Sequence, residues 1–225
     1  MIHMKKWMSF IVLFALCACL YKPVIHVSSS QPLLKKVIVL DPGHGGLDNG
    51  ASVAGVNEDE LNLKISFALK EELESRGATV YLTRTDDQDM TKRDYNYSKQ
   101  DDMYLRALQI DEYQPDLFLS IHLNSSSSSA WGSQVFYYHK SEEGKRLAEI
   151  IHNQMKTLTG TRKNVSSCSF YILRATQSLG VLIECGFISN ANERGQLKSQ
   201  AYHKKLAVVI SDGVEEYFQS LSAPL

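Results

Sequence analysis

The chain is poor in cysteine and in proline, with four and five of each in 225 residues. Two of the cysteines, Cys17 and Cys19, fall inside an N-terminal apolar run, so a disulfide-built scaffold is excluded. No CxxC pair occurs, which argues against a thiolate zinc site. Cys168 and Cys185 remain. The sequence leaves open whether they pair, although Cys185 follows an apolar strand and reads as a small buried side chain. Charge of one sign is also missing: 24 basic residues face 25 acidic ones, for a formal net charge of −1. There is no basic stripe and no interleaving of arginine with aromatics, which speaks against a nucleic-acid partner. No internal repeat is visible.

Only one stretch is apolar enough to suggest a membrane. Lys5 and Lys6 precede the uncharged run Trp7–Tyr21. As a helix the run would measure roughly 22 Å, short of the about 20 residues a spanning helix needs. It fits the apolar core of a secretory signal, with a short uncleaved anchor as the alternative. Leu16-Cys17-Ala18-Cys19 also has the look of a lipoprotein cleavage box at Cys19. In each case the body of the protein is exported, and it meets a membrane only through this segment. Residues 1–27 are therefore expected to be a signal peptide or membrane anchor, 28–35 a polar linker, and 36–220 the folded domain.

Within that domain strand and helix signals alternate. Strands are expected at Lys36–Asp41, Ala78–Thr83, Leu117–His122, Gly132–Tyr138, Phe170–Leu173 and Gly180–Glu184. Helices are expected at Glu58–Arg76, Asp102–Tyr113, Glu142–Leu158 and Ala201–Phe218. Leu61, Ile65, Leu69 and Leu73 recur every four residues in the first helix, and Gly77 stops it. Such alternation specifies a single α/β domain, a twisted, mostly parallel but mixed sheet flanked by helices.

The chemistry gathers at strand ends. Val37-Ile38-Val39-Leu40 is a continuous apolar run that halts at Asp41-Pro42-Gly43 and delivers His44 on a glycine-rich loop. Leu117–Ile121 runs straight into His122 and then Asn124. Two imidazoles at the carboxyl ends of buried strands form half of a metal site, where open α/β sheets build their clefts. Catalytic zinc needs a third protein ligand and one open position. Glu58, at the start of the first helix, is the candidate; Asp59 and Glu60 are rivals, and a helix dipole alone would favour all three acids. Val181-Leu182-Ile183 ends in Glu184, a carboxylate on a buried strand, placed either for catalysis or for a structural ion pair. His139, His152 and His203 read as surface residues. Tyr95, Tyr97 and Trp131 read either as exposed loop aromatics or as the wall of a glycan groove.

The ordered motifs DPGHGG-D-GA (Asp41–Ala51), E-x-x-LNL (Glu58–Leu63), TR-T-D (Thr83–Asp86), SIH-x-N (Ser120–Asn124) and ECGF-I-SN (Glu184–Asn190) resemble the zinc-dependent N-acetylmuramoyl-L-alanine amidases of the Amidase_3 type. The resemblance covers nearly all of Lys36–Phe218. It implies one Zn2+ per chain held by His44, Glu58 and His122, with Glu184 as the catalytic glutamate. The implied reaction is hydrolysis of the amide between the lactyl group of N-acetylmuramic acid and L-alanine of the peptidoglycan stem. By motif position Arg84 and Asn124 flank the site. Arg84 would grip a stem-peptide carboxylate or make a structural ion pair. Asp41 and Asn124 would orient the histidines, or Asp41 would cap the glycine-rich loop. Some relatives carry a long inserted helix that plugs the zinc site, but Tyr138–Glu142 leaves no room for one. The compact, N-anchored form resembles sporulation members of the family, whose product becomes muramic-δ-lactam in spore cortex. That resemblance implies action at the outer face of a membrane or in the cell-wall or cortex space, and leaves room for an accessory protein partner. The rival readings are a carboxypeptidase-like zinc hydrolase of the wall and a non-catalytic peptidoglycan-binding domain. The second should lack one of His44, Glu58, His122 or Glu184, and all four are present.

Overall fold

The computed structural model describes residues 31–91 and 98–222. Residues 1–30, which include the apolar run, Cys17 and Cys19, lie outside the described residues, as do Tyr95 and Tyr97. In order, the elements are β1 (Val37–Pro42), β2 (Ser52–Val53), β3 (Val56–Asn57), α1 (Glu58–Ser75), β4 (Thr79–Leu82), α2 (Lys99–Glu112) and β5 (Leu117–Asn124). They continue with β6 (Gln134–Tyr138), α3 (Glu142–Thr159), β7 (Ser166–Cys168), α4 (Tyr171–Ala175), β8 (Gly180–Phe187), α5 (Ala191–Leu197) and α6 (Gln200–Ser222). The main sheet has strand order β4-β1-β5-β8-β6-β7, and only the β6–β8 pair is antiparallel. The α/β expectation of a mixed, mostly parallel sheet holds.

The apolar strands alternate between two cores, as a pleat requires. Ile38, Leu40, Leu119, Ile121, Val181 and Ile183 point into the larger core, beneath α1, α3 and α6. Leu61, Ile65, Leu69 and Leu73 of α1 meet them there, all 3% exposed or less. Val39, Phe118 and Leu182 point the other way, onto Ala107 and Ile110 of α2 and Ile172 and Leu173 of α4. A side chain's parity along its strand therefore assigns it to a face. Asp41, His122 and Glu184 share parity with Val39, Phe118 and Leu182, so the polar strand ends fall on the α2–α4 side.

Some expectations need correction. Phe170–Leu173 is not a strand. Ile172 and Leu173 are buried side by side against α2, which one helical turn permits and a pleated strand does not. The neighbouring strand is instead β7, paired to β6. His152 and His203 are buried, not surface residues, and each ring faces a main-chain carbonyl, Lys163 O and Leu197 O respectively. Cys168 and Cys185 are free thiols. Ser141 caps α3 three residues after β6 ends, so the short β6–α3 connection is as expected.

Candidate metal centre and active site

The strand ends of β1, β5 and β8 lie side by side and contribute Asp41, Ser120 with His122, and Glu184 respectively. His122 and Glu184 are register partners across β5–β8, as are Asp41 and Ser120 across β1–β5. Beyond β1 the chain turns sharply. Gly43 N–H still bonds Ile121 O at 2.9 Å, and His44 then takes φ +62°, a left-handed conformation uncommon for a residue with a Cβ. That conformation swings its ring back over the sheet edge, where the rings of His44 and His122 meet edge-on with centroids 4.9 Å apart. Two glycines make the approach possible. A Cβ on Gly43 would stand 2.2 Å from His122 Cε1, and one on Gly50 would stand 2.6 Å from Glu58 Oε2.

Glu58 enters from α1. The β2–β3 hairpin delivers the helix start to the same place, with Glu58 N–H bonded to Ala51 O and Asp59 N–H to Asn49 O. Glu58 Oε1 lies 3.3 Å from His44 Nε2 and 3.1 Å from His122 Nδ1. Ala51 N–H donates to Glu58 Oε2, and Leu123 N–H to Oε1. Ligand atoms of His44, Glu58 and His122 all lie within 4.8 Å of one another. Burial opposes the charge on Glu58, but hydrogen bonds and charge from His122 and His44 outweigh it and hold the carboxyl well below the usual range. Burial would lower the His44 pKa; Glu58 and Asp48 overcome that and raise it. A carboxylate between two imidazoles at 3.1–3.3 Å is the donor set expected of a catalytic His₂Glu zinc site. Of the rival acids, Asp59 is buried away from this cluster, between Arg84 and Asp87, and Glu60 pairs with Lys64 on the surface.

Glu184 stands beside the cluster without joining it. Its Oε2 is sealed from water and has no hydrogen-bond partner among the described residues. Burial pushes its carboxyl up to about 7; the positive potential of His122 and His44 opposes this, and the charge of Glu58 adds to it. A carboxyl poised near neutrality can both accept and return a proton. A cavity of about 380 Å³ opens over these groups; its lining includes His44 after β1, His122 of β5, Glu184 of β8 and Phe170, which packs on Phe136 of β6, in the lateral order β1-β5-β8-β6 of the sheet.

The flanking residues have other work than the motifs suggested. Arg84 is buried, and it donates to the carbonyls of Pro42, Gly43, Asp59 and Asp86 at 2.8–3.0 Å. It clamps the loop to α1, and among the described residues it has neither a carboxylate partner nor a place in the cavity lining. Asp41 touches neither imidazole. It accepts from Thr83 Oγ1, Ser120 Oγ and Arg106 Nη1. Arg106, fully buried on α2, also donates to Pro42 O and His44 O, so Asp41 acts on the loop backbone through Arg106. Asn124 lies half-buried past the β8 bulge, outside the cavity lining, and its carbonyl accepts from Ile188 N–H.

The residue that does orient a histidine is Asp48, which sequence reasoning missed. Its Oδ2 accepts from His44 Nδ1 at 2.9 Å, leaving Nε2 to face Glu58. Burial opposes its charge, but Lys99 at 2.9 Å and His44 bring the Asp48 carboxyl down to about 2. Asn62 was also missed; its buried Nδ2 donates to Gly43 O and Glu58 Oε1. The spacing His44-x-x-x-Asp48 within the glycine-rich loop was the available signal for Asp48.

The chain is similar to known proteins over most of its length. The family described as Amidase_3, N-acetylmuramoyl-L-alanine amidase, matches residues 38–216. The germination-specific N-acetylmuramoyl-L-alanine amidase of Bacillus subtilis (strain 168) is 34% identical over 230 residues, covering 97% of each chain. The N-acetylmuramoyl-L-alanine amidase LytC of the same organism is 36% identical over 193 residues, 84% of this chain and 37% of that one. Among solved structures, the CwlD amidase from Clostridioides difficile, in complex with the GerS lipoprotein, superposes with TM-score 0.74 at 33% identity, covering 82% of this chain and 99% of that one. By sequence over nearly its whole length and by fold, the chain belongs to the Amidase_3 family of N-acetylmuramoyl-L-alanine amidases.

Proposed function

We propose that the chain is a zinc-dependent amidase of peptidoglycan that separates the lactyl group of N-acetylmuramic acid from L-alanine of the stem, with His44, Glu58 and His122 as metal ligands and Glu184 as the proton carrier. The observation that carries this is the convergence of three donor atoms within 4.8 Å beside the unpartnered, buried Oε2 of Glu184. The donor set fits zinc, since two imidazoles and one carboxylate leave a fourth position open. When bound there, zinc supplies a Lewis acid that polarises a carbonyl and draws the pKa of water towards about 7.

The remaining chemistry belongs to the chain. The Glu184 carboxylate takes a proton from the attacking water and returns it to the L-alanine nitrogen as the C–N bond breaks. Its raised pKa suits both halves of that task. Asp48 holds His44 so that Nε2, not Nδ1, faces the ligand cluster. Arg84 and Arg106 fix the loop that carries His44, which keeps the three donors converged without cost at the moment of binding.

The relatives support a particular setting. Near-full-length similarity to a germination-specific amidase supports a role in spore cortex maturation, the step that precedes muramic-δ-lactam formation. The C. difficile relative was solved with a lipoprotein partner, which supports an accessory protein here. The dibasic start and apolar run support export, with residues 1–27 as signal or anchor and 36–220 as the catalytic domain. Among the described residues no helix is long and apolar enough to cross a membrane.

Replacing Glu184 with Gln tests the assignment. The variant should bind zinc as the parent does and lose roughly 10²–10⁴-fold in rate. Near-normal turnover with zinc retained would remove Glu184 from the mechanism.

A further inference from the structure

The catalytic cavity is chemically lopsided. At one end stand His44, Asp48 and Lys99, a charged cluster in which the Lys99 ammonium uses one of its three donors on Asp48. Toward β6 the wall is apolar, built from Ile172 and Leu182, and Phe170 lines it where its ring packs on Phe136 of β6. Phe170 is 42% exposed although it is a phenylalanine in a lined cavity. Its ring is held, not loose: it packs on Phe136 with centroids 5.3 Å apart at a tilt of 57°, and its own carbonyl accepts the first bonds of α4. A fixed aromatic face left open beside a catalytic centre is a binding surface more than a packing remainder.

The two halves of the substrate differ in the same way as the two ends of the cavity. The scissile amide joins a sugar to a peptide. The peptide half ends in a free carboxylate and suits the lysine end. The sugar half is uncharged beyond the lactyl amide, and a pyranose presents one face of C–H groups that lies flat on an aromatic ring. Glu184 and the metal ligands lie between the two ends, where the amide must sit.

We propose that Phe170 is the glycan platform of this enzyme, packing against the muramoyl ring and so fixing which half of the substrate lies on which side of Glu184. This rests on the amidase reading above. The aromatic, not mere apolar bulk, is what the sugar needs, so Phe170→Leu should lose the function and Phe170→Tyr should keep it.

The test is calorimetric binding to the zinc-loaded chain of two product-like probes: a peptide-free GlcNAc–MurNAc disaccharide and a free stem tripeptide beginning with L-alanine. Phe170→Leu should weaken the disaccharide roughly tenfold and leave the tripeptide unchanged; Phe170→Tyr should bind both as the parent does. Equal weakening of both probes, an unchanged disaccharide affinity, or a parent that does not bind the disaccharide would each overturn the assignment. Thermal unfolding of the three proteins controls for packing on Phe136. Digestion of peptidoglycan by the parent tests the underlying reading separately: absence of peptides with a new L-alanine amino terminus would refute the amidase, whatever the binding data show.

Discussion

Asp48 shows how much of the proposed metal site is decided outside its three donor residues. An imidazole has two nitrogens, and a metal site needs the right one free. The 2.9 Å contact from His44 Nδ1 to Asp48 Oδ2 makes that choice. Lys99 in turn keeps Asp48 ionised from the other side. Asp48→Asn should therefore weaken zinc roughly 10–100-fold, read by chelator competition, with the fold intact. Unchanged affinity would mean that the loop backbone alone orients His44. His44 and His122 were legible in the sequence because an apolar strand ending in His is a conspicuous break of pattern. Glu58 was less so, because an acid at a helix start has an ordinary explanation in the dipole. Arg84 and Arg106 were not legible in their true roles. Their partners include main-chain carbonyls, which every residue has and which leave no mark in a sequence.

At the scale of elements, the site depends on how the β1–α1 connection is pinned. Asp41, at the end of β1, and Arg106, from α2, form a buried pair whose guanidinium also bonds the carbonyls on either side of Gly43. Arg106→Met would leave Asp41 buried and unpaired, which should cost roughly 3–5 kcal/mol in denaturant unfolding. A loss below about 1 kcal/mol, the size of an exposed pair, would contradict that role. The pair also sets a pH dependence. Burial opposes ionisation of Asp41, but Arg106, Thr83 and Ser120 prevail and hold its pKa below the ordinary value. Its contribution is thus fully present above the unfolded pKa of about 4 and is lost as pH falls through the lower folded value. Acid unfolding should show that loss in the parent, and Asp41→Asn should flatten it. Gly43 makes the complementary point: with a Cβ 2.2 Å from the His122 ring, Gly43→Ala should displace His122 and cost zinc binding as well as stability. The short helix α4 escaped sequence analysis for a different reason. Five residues are too few to display a 3.6-residue period, and two adjacent apolar side chains look the same in a strand.

For the whole molecule, the two faces of the sheet do different work. The face under α1, α3 and α6 carries the larger core and holds the sheet together. The face under α2 and α4 is only partly covered, and its open carboxyl edge is the catalytic cavity. The fold class was legible because α1, α3 and α6 have clear apolar stripes and the central strands are continuous apolar runs. The location of the cavity followed from the strand ends; its aromatic wall did not, because Phe170 lies between elements. A ligand held only by the folded state stabilises it by mass action. Zinc at about 100 times its Kd should add roughly 2.7 kcal/mol to the parent, seen as a higher melting temperature. Asp48→Asn should show a smaller shift at the same zinc concentration.

The central claim is that these residues cut one particular bond with zinc in place. The most direct measurement is mass analysis of peptidoglycan digested by the purified chain, loaded with zinc and then stripped by chelator. The account predicts stem peptides beginning with L-alanine and intact sugars from the zinc-loaded chain, and none after chelation. Release of a carboxyl-terminal amino acid, or of the same peptides with the metal removed, would contradict it.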